Sequence, residues 1–181
     1  MRIFIGSSNE QYPVVKEIRR DLMSKLSPNP IEIITWKEWF QRGENYGQNT
    51  WAVITKAIDY FDCAIMLLAG DDKIDIRREE YKSTRDNVLI ESGAFAKAIG
   101  IESVFLLIDK GDQYHIPSDY DGLNVIRFDY ERGADNIDAY RTMCERILQI
   151  REIEDIVLTS SFEKYKEEIS YVQKEKRGKI K

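Results

Sequence analysis

The chain has 181 residues, 43% hydrophobic and 33% charged, which suits one domain with a buried core plus an extension. Its 27 basic and 32 acidic residues give a net charge of −5, which argues against nucleic acid or an anionic membrane as a partner. The two cysteines lack the spacing of a zinc site or of a disulfide framework. Because no signal sequence or apolar stretch of ~20 residues is present, we expect a cytoplasmic protein.

The first sixty residues alternate between strand and helix patterns. Residues 2–6 form an apolar run that predicts a buried strand, and residues 14–26 place apolar side chains at helical spacing. Residues 31–35 predict a second strand. Gly43 and Gly47 then mark a flexible loop before a predicted helix over residues 50–60.

The middle of the chain predicts a central strand, a long loop and a third helix. Residues 62–69 are unbroken by polar residues, which is typical of a strand covered on both faces. The polar residues 70–83 predict a long loop, a feature that is usually functional or disordered. The helix predicted over residues 84–99 is preceded by Ser83, and Asp86 follows three residues later, which is a capping-box pattern.

The remaining elements complete an α/β pattern. Strands are predicted over residues 103–109 and 124–128, followed by a helix over residues 134–150. This alternation predicts a flavodoxin-like three-layer sandwich with a five-stranded parallel sheet in the order 2-1-3-4-5. We assign residues 1–150 to this domain. Residues 151–181 form a charged helical extension, which either packs on the domain, or self-associates, or leads into a larger protein.

A ligand cleft is expected at the carboxyl ends of the strands, and Glu91 is its candidate chemical centre. Glu91 lies in an apolar helical stretch, and none of the residues three and four positions away is a cation. The cost of desolvating such a carboxylate is usually tolerated for function. The alternative is that Glu91 interacts only with the helix dipole or with an arginine from another segment.

Three residues in the first turn of the same helix, Arg85, Asp86 and Asn87, are candidates for binding the substrate. Free backbone N–H groups and the positive end of the helix dipole favour an anion there, and Arg85 is suited to a bidentate phosphate contact. A plain helix cap with a solvent-facing Arg85 explains the pattern equally well.

Small and aromatic residues complete the candidate site. The loop after the first strand supplies small residues and hydroxyls at the cleft mouth: Gly6, Ser7 and Ser8. Trp36, Trp39 and Phe40 form an aromatic cluster after the second strand, suited either to stacking on a base or to core packing.

A metal site is not expected. His115 is the only histidine, and it has no partner ligands nearby in the sequence. Asp71 and Asp72 resemble an acidic pair for a cation, but no further acidic cluster completes such a site. We interpret them as loop residues.

Five segments resemble, in order, those of bacterial TIR-like domains. They are IFIGSS, TWKEWF, DCAIMLLAGDD, RDNVLIESGAFAKAIG and IPSDYDGLNVIRF, and the resemblance covers residues 1–150. Members of this family are effector halves of antiphage defence proteins, often fused to a STING-like or other cyclic-nucleotide sensor. The resemblance therefore implies a sensor domain or sensor protein as a partner.

The resemblance also implies an activity and a substrate. It implies an NAD glycohydrolase, which needs no cofactor and gives nicotinamide and ADP-ribose or a cyclic form. The family's catalytic glutamate falls on Glu91, while Ser92 and Ala94 stand where members often carry larger residues. An active homo-oligomer is also implied, with the loop between Gly43 and Gly47 and the C-terminal helix as candidate contacts.

On this basis we assign roles to the cleft residues. Ser7, Ser8 and Arg85 are expected to contact ribose and phosphates, and Trp36 to flank the nicotinamide or the adenine. Two other functions stay open. Nucleoside 2-deoxyribosyltransferases have a similar sheet with a nucleophilic glutamate, and a TIR scaffold would self-associate without catalysis.

Overall fold

The computed structural model describes residues 1–111, 114–120, 123–130 and 136–152. Residues Met1–Cys144 form one compact unit, which contains the site discussed below. Residues 145–152, from the second unit, are helical. The predicted start of a helix at Ala134 and the predicted C-terminal helix beyond residue 152 lie outside the described residues. Within the described ranges, no helix combines the length and the apolar character needed to cross a membrane.

Over the described residues, the five predicted strands and the first three predicted helices are present, together with one helix and three strands that were not predicted. The described strands are β1 (Arg2–Gly6), β2 (Glu32–Thr35), β3 (Cys63–Leu68), β4 (Asp72–Ile76), β5 (Glu79–Ser83), β6 (Val104–Asp109), β7 (Tyr114–His115) and β8 (Asn124–Phe128). The helices before the C-terminal segment are α1 (Tyr12–Leu26), α2 (Trp36–Gln41), α3 (Thr50–Tyr60) and α4 (Asp86–Ile99). Short 3-10 turns follow at Ile101–Ser103 and Ser118–Tyr120.

The main sheet has five parallel strands in the order β2-β1-β3-β6-β8. The predicted fold class is confirmed. The strand numbers differ from the predicted 2-1-3-4-5 because β4, β5 and β7 form a separate three-stranded sheet. As predicted, β3 lies at the centre and every one of its residues is buried.

Both faces of the sheet are covered. Helices α3 and α4 pack on the face that carries Ala64, Met66 and Leu68 of β3. Phe95 of α4 stacks on Phe4 of β1 with ring centroids 4.9 Å apart. The alternate residues of β3 are buried as well, so they face the opposite layer.

The predicted loop over residues 70–83 is wrong, because this segment folds as the antiparallel hairpin of β4 and β5. Its strands are mostly charged and exposed, and their apolar alternation is limited to Ile74, Ile76 and Tyr81, which is too short to predict strands. Its turn consists of Arg77 and Arg78, with φ values of 52° and 74°. Such a turn is normally signalled by Asn-Gly or Asp-Gly, which are absent here.

The predicted capping box at the start of α4 is also wrong. The helix begins at Asp86, its N-cap is Arg85, and no side chain caps it. Ser83 ends β5, where it pairs with Asp72, and its hydroxyl donates a hydrogen bond to the carbonyl of Thr84. Ser83 therefore cannot cap α4, because it is a residue of the hairpin strand β5.

The amphipathic character of α1 can be tested at two adjacent positions. Leu22 is fully buried, whereas 51% of Met23 is exposed. We expect Leu22→Ala to lower the free energy of unfolding by about 2–5 kcal/mol, because it leaves a cavity in the core. Met23→Ala should change it by no more than about 0.5 kcal/mol. Urea denaturation followed by circular dichroism measures both, and equal losses would contradict the placement of α1.

Candidate active site

A cleft of about 630 Å³, measured to its open mouth, lies beyond the carboxyl end of β1. Six of the eight predicted site residues line it, together with three others: Ser7, Ser8, Asn9, Trp36, Phe40, Thr50, Arg85, Asn87 and Glu91. These residues come from segments far apart in the chain. The structure therefore brings most of the predicted site together where the rule for open α/β sheets places a ligand.

Two predicted site residues, Gly6 and Asp86, do not line this cleft. Gly6 is buried in β1, where an added Cβ would lie 2.7 Å from Cε of Met66, so the glycine leaves room for that side chain. Asp86 is exposed in the first turn of α4. Thr50 was missed because a lone polar residue at a helix start carries no signal of its own.

Glu91 is partly buried in the wall of the cleft, and burial raises the pKa of its carboxyl from 4.5 to about 7. Among the described residues no ion pair involves Glu91. The alternative of an arginine from another segment is therefore not found there. Arg85, the cationic residue of the cleft wall, instead forms an ion pair with Glu10. Glu91 thus combines partial desolvation with a missing cation, as expected of a functional carboxylate.

The packing of α4 fixes the orientation of Glu91. Val88 and Phe95 are fully buried in the core on one side of the helix. Asn87 and Glu91 are four residues apart and line the cleft, while Glu91 is also three residues after Val88 and four before Phe95, so it lies at the edge of the buried face. The core contacts of the helix thus determine where the carboxylate points.

Tyr120 contacts α4 on both sides of Glu91, at Leu89 and at Ser92. Its hydroxyl donates a hydrogen bond to the carbonyl of Leu89 and lies 3.3 Å from the hydroxyl of Ser92. The same hydroxyl lies 3.5 Å from the position that a Cβ on Gly93 would occupy. The small residues at positions 92 and 93 therefore provide room for this tyrosine, which belongs to the IPSDYDG segment.

A chain of hydrogen bonds positions Trp36. Its indole Nε1 donates to Oγ of Ser7 at 3.1 Å, and that hydroxyl donates to the carbonyl of Ser8 at 2.7 Å. Helix α2, which begins at Trp36, is capped by reciprocal bonds between Thr35 and Glu38. This capping box, T-W-K-E in the sequence, is a signal for α2 that the sequence analysis missed.

The aromatic cluster is divided between the cleft and the core. Trp36 and Phe40 line the cleft, with ring centroids 6.1 Å apart. Trp39 is buried, and its indole donates to the carbonyl of Val53. The loop that follows is anchored by Asn45, which is buried and donates to the carbonyl of Trp39. Of the two predicted alternatives, core packing therefore applies to Trp39, whereas Trp36 and Phe40 are placed where stacking on a ligand is possible.

Arg85 and Ser8 provide the polar chemistry of the cleft. The guanidinium of Arg85 lies 2.7 Å from the carboxylate of Glu10 and 3.7 Å from that of Asp72, so it is not simply solvent-facing. The hydroxyl of Ser8 is buried and has no hydrogen-bond partner among the described residues. A bound phosphate must compete with Glu10 for the guanidinium, whereas the buried Ser8 hydroxyl has no partner among the described residues to exchange.

The residues considered for a metal site have other surroundings. Asp71 accepts a hydrogen bond from the amide of Gln11, and Asp72 begins β4 instead of lying in a loop. His115 lies in β7 beside β5. In the part of the chain that the structure describes, no three His, Cys, Asp or Glu residues are grouped closely enough to hold a metal ion.

A second cleft, of about 400 Å³, adjoins the first. Its lining is mainly apolar and consists of Thr50, Trp51, Ile54, Asn87, Ile90 and Glu91. Thr50, Asn87 and Glu91 line both clefts, so they form the boundary between them. Trp51 and Ile90 were not predicted as site residues, since their spacing within α3 and α4 does not show that they meet.

Comparison with known proteins identifies the family. The sequence model of one protein family, the TIR domain of the CAP12/Pycsar effector proteins, matches residues 2–130 of this chain. The chain is 35% identical over 130 residues to CD-NTase-associated protein 12 of Niabella drilacis, covering 71% of this chain and 39% of that protein. It is 30% identical over 151 residues to the Pycsar effector protein XpPycTIR of Xanthomonas perforans, covering 83% and 47%.

The chain therefore belongs to this family of bacterial TIR-domain antiphage effectors, and the resemblance found in the sequence is confirmed. It spans less than half the length of these two relatives. A crystal structure of a prokaryotic SEFIR domain superposes with a TM-score of 0.46 at 17% identity, covering 80% of this chain and 96% of that one.

The raised pKa of Glu91 predicts how folding stability depends on pH. The unfolded chain releases this proton near pH 4.5, whereas the folded chain keeps it to about pH 7. The contribution of Glu91 to stability is therefore complete below pH 4.5 and is lost as the pH rises to 7. At about 1.4 kcal/mol for each pH unit, the loss is about 3 kcal/mol.

We expect Glu91→Gln to remove this loss and to raise the free energy of unfolding above pH 7, measured by urea denaturation at several pH values. Asp86→Asn is the matched control, because Asp86 is exposed on the same helix. An identical pH dependence in wild type and Glu91→Gln would contradict the raised pKa.

Proposed function

We propose that this domain is an NAD glycohydrolase in which Glu91 acts at the nicotinamide–ribose bond. The observation that carries the proposal is the partly buried, unpaired carboxylate of Glu91 at the boundary of two adjoining clefts. Membership of a bacterial TIR-effector family supports it. The proposal also accounts for the hydroxyls and the guanidinium that line the same cleft.

The reaction needs little help with its leaving group. When the bond between the anomeric carbon and the pyridinium nitrogen breaks, its electron pair moves to the nitrogen. The ring is then neutral and leaves as nicotinamide. The ribosyl carbon becomes an oxocarbenium-like cation, to which water adds with loss of a proton, giving ADP-ribose. Attack by a group of the ADP-ribose itself would give a cyclic product. A single carboxylate is sufficient because cation stabilisation is the main demand.

The surroundings of Glu91 suit this role. Partial exclusion of water lowers the local dielectric constant, which strengthens the attraction between the carboxylate and the developing cation. With a pKa of about 7 the group is largely ionised at slightly alkaline pH and is basic enough to accept the proton of the attacking water.

The other lining residues match the remainder of the substrate. The Ser8 hydroxyl is buried without a partner among the described residues, so a ribose or phosphate that reaches it gains a hydrogen bond. Arg85 is available to the pyrophosphate if it exchanges Glu10 for the ligand. Trp36, fixed by Ser7, presents an aromatic surface in the same cleft.

At the level of the whole protein, we propose that this domain is the effector part of a cytoplasmic defence protein. Three relatives are named Pycsar effector proteins, and the chain spans less than half of each. Activation by assembly into a homo-oligomer, in response to a cyclic-nucleotide sensor domain or sensor protein, fits that arrangement.

The activity is tested by incubating concentrated protein with NAD and following nicotinamide release over hours. We expect Glu91→Gln to lower the rate at least about 100-fold, because it removes the charge that stabilises the transition state. Asp86→Asn, on the exposed side of the same helix, should keep the wild-type rate. Equal rates in wild type and Glu91→Gln would refute the assignment. Exchange of bases between deoxynucleosides without NAD loss would favour a deoxyribosyltransferase instead.

The pH dependence of the rate gives a second test. Because the ionised carboxylate is the active form, kcat/KM should rise with pH up to about 7 and level off above it. Circular dichroism at each pH controls for unfolding. A rate that falls as the pH rises through 7 would mean that the protonated carboxyl is required.

A further inference from the structure

We infer that the apolar cleft lined by Trp51, Ile54 and Ile90 binds the base that leaves, while the polar cleft binds the ribosyl phosphates. This inference rests on the proposed function and assigns the orientation of the substrate across Glu91. It also makes Trp51 the residue that determines which base is accepted.

The first argument is the position of Glu91. The carboxylate must face the anomeric carbon, and that carbon joins the base to the ribose. The base and the ribose therefore extend in different directions from Glu91. The two clefts do the same, because they meet at Thr50, Asn87 and Glu91 and are otherwise lined by different residues.

The second argument is the contrast in chemistry between the clefts. The first contains two serine side chains and the guanidinium of Arg85, which suit ribose and phosphate, beside the aromatic rings of Trp36 and Phe40. The second is walled by a tryptophan and two isoleucines, which suit a planar ring with little polar surface. With the nicotinamide–ribose bond of NAD placed at Glu91, the nicotinamide matches the apolar cleft and the ribosyl phosphates match the cleft that contains Arg85.

The third argument is the exposure of the apolar wall. Trp51 on α3 is 63% exposed and Ile90 on α4 is 52% exposed, although both are large hydrophobic residues. Exposed apolar residues that meet beside a functional group usually mark a binding surface. An indole face also attracts a cationic ring, and the base carries its positive charge only before the bond breaks. Such a wall therefore holds the substrate more tightly than the product.

Asn87 supplies the polar contact that the base requires. Its side-chain amide both donates and accepts hydrogen bonds, as does the carboxamide of nicotinamide. It lies at the boundary of the clefts, four residues before Glu91 on the same helix. This placement leaves Trp36 to the ribosyl-phosphate side, so its partner is not the nicotinamide.

The three tryptophans of the chain make a direct test possible. In the ¹⁵N-labelled full chain each gives one indole N–H resonance, assigned with single Trp→Phe variants. We expect nicotinamide to shift the resonance of Trp51 and ADP-ribose to shift that of Trp36. Trp39 is the internal control, because its indole is bonded to Val53 in the core. A shift of Trp36 by nicotinamide, or no shift of Trp51 at saturating nicotinamide, would overturn the inference.

Product inhibition of NAD cleavage gives the matching kinetic result. Trp51→Ala should raise the inhibition constant of nicotinamide about tenfold through the lost stacking, while that of ADP-ribose stays the same. Trp51→Phe should retain most of the nicotinamide affinity. Equal changes for both products would overturn the assignment of the clefts.

The two proposals fail in different ways. Glu91-dependent cleavage without a nicotinamide effect at Trp51 refutes the orientation and leaves the activity standing. A shift of Trp51 by nicotinamide, with no NAD cleavage even by concentrated protein, counts against hydrolase activity of this chain and leaves the base site standing. A Trp51 resonance that moves with protein concentration alone would show that a second copy of the chain occupies this cleft, which also overturns the inference.

Discussion

The packing of α4 against the sheet is the constraint on which the site depends. Val88 and Phe95 are fully buried, and Phe95 stacks on Phe4 of β1. A helix with 3.6 residues per turn then has no freedom in its remaining faces, so the side that carries Asn87 and Glu91 must form the wall of the cleft. The carboxylate therefore owes its position to apolar contacts on the adjoining face of the helix.

The hairpin of β4 and β5 makes this arrangement possible. It begins shortly after β3 and closes where Asp72 pairs with Ser83. An added Cβ at Gly70 would lie 2.8 Å from Cβ of Lys82, which shows how tightly the base of the hairpin closes. The chain therefore returns to the end of β3 before α4 begins. The segment 70–83, which the sequence predicts as a long loop, therefore fixes the position at which α4 begins, beside β1.

Two polar groups of the site, the carboxylate of Glu91 and the hydroxyl of Ser8, lack a partner among the described residues, whereas a third, the guanidinium of Arg85, has one. Glu91 loses part of its hydration without gaining a cation, and the Ser8 hydroxyl is buried without a partner. Arg85, in contrast, is already paired with Glu10. Ligand binding would compensate the first two groups, whereas it must replace an existing partner of the third. Such a site is stabilised by what it binds, since the core contacts of α4 maintain its shape beforehand.

The sequence by itself determined the five strands of the parallel sheet, helices α1, α3 and α4, and Glu91 as the candidate centre, because buried strands, helical spacing and an apolar stretch interrupted by one acid are local patterns. It did not show the charged hairpin, whose Arg77–Arg78 turn lacks the usual residues, or the capping of α2 by Thr35. Only the tertiary structure decided that Arg85 forms an ion pair with Glu10. It also decided that Trp39 enters the core while Trp36 lines the first cleft. Finally, it placed Trp51 and Ile90 in the wall of one cleft with Glu91. Each of these depends on contacts between segments far apart in the chain, and side-chain spacing within one segment carries no information about them.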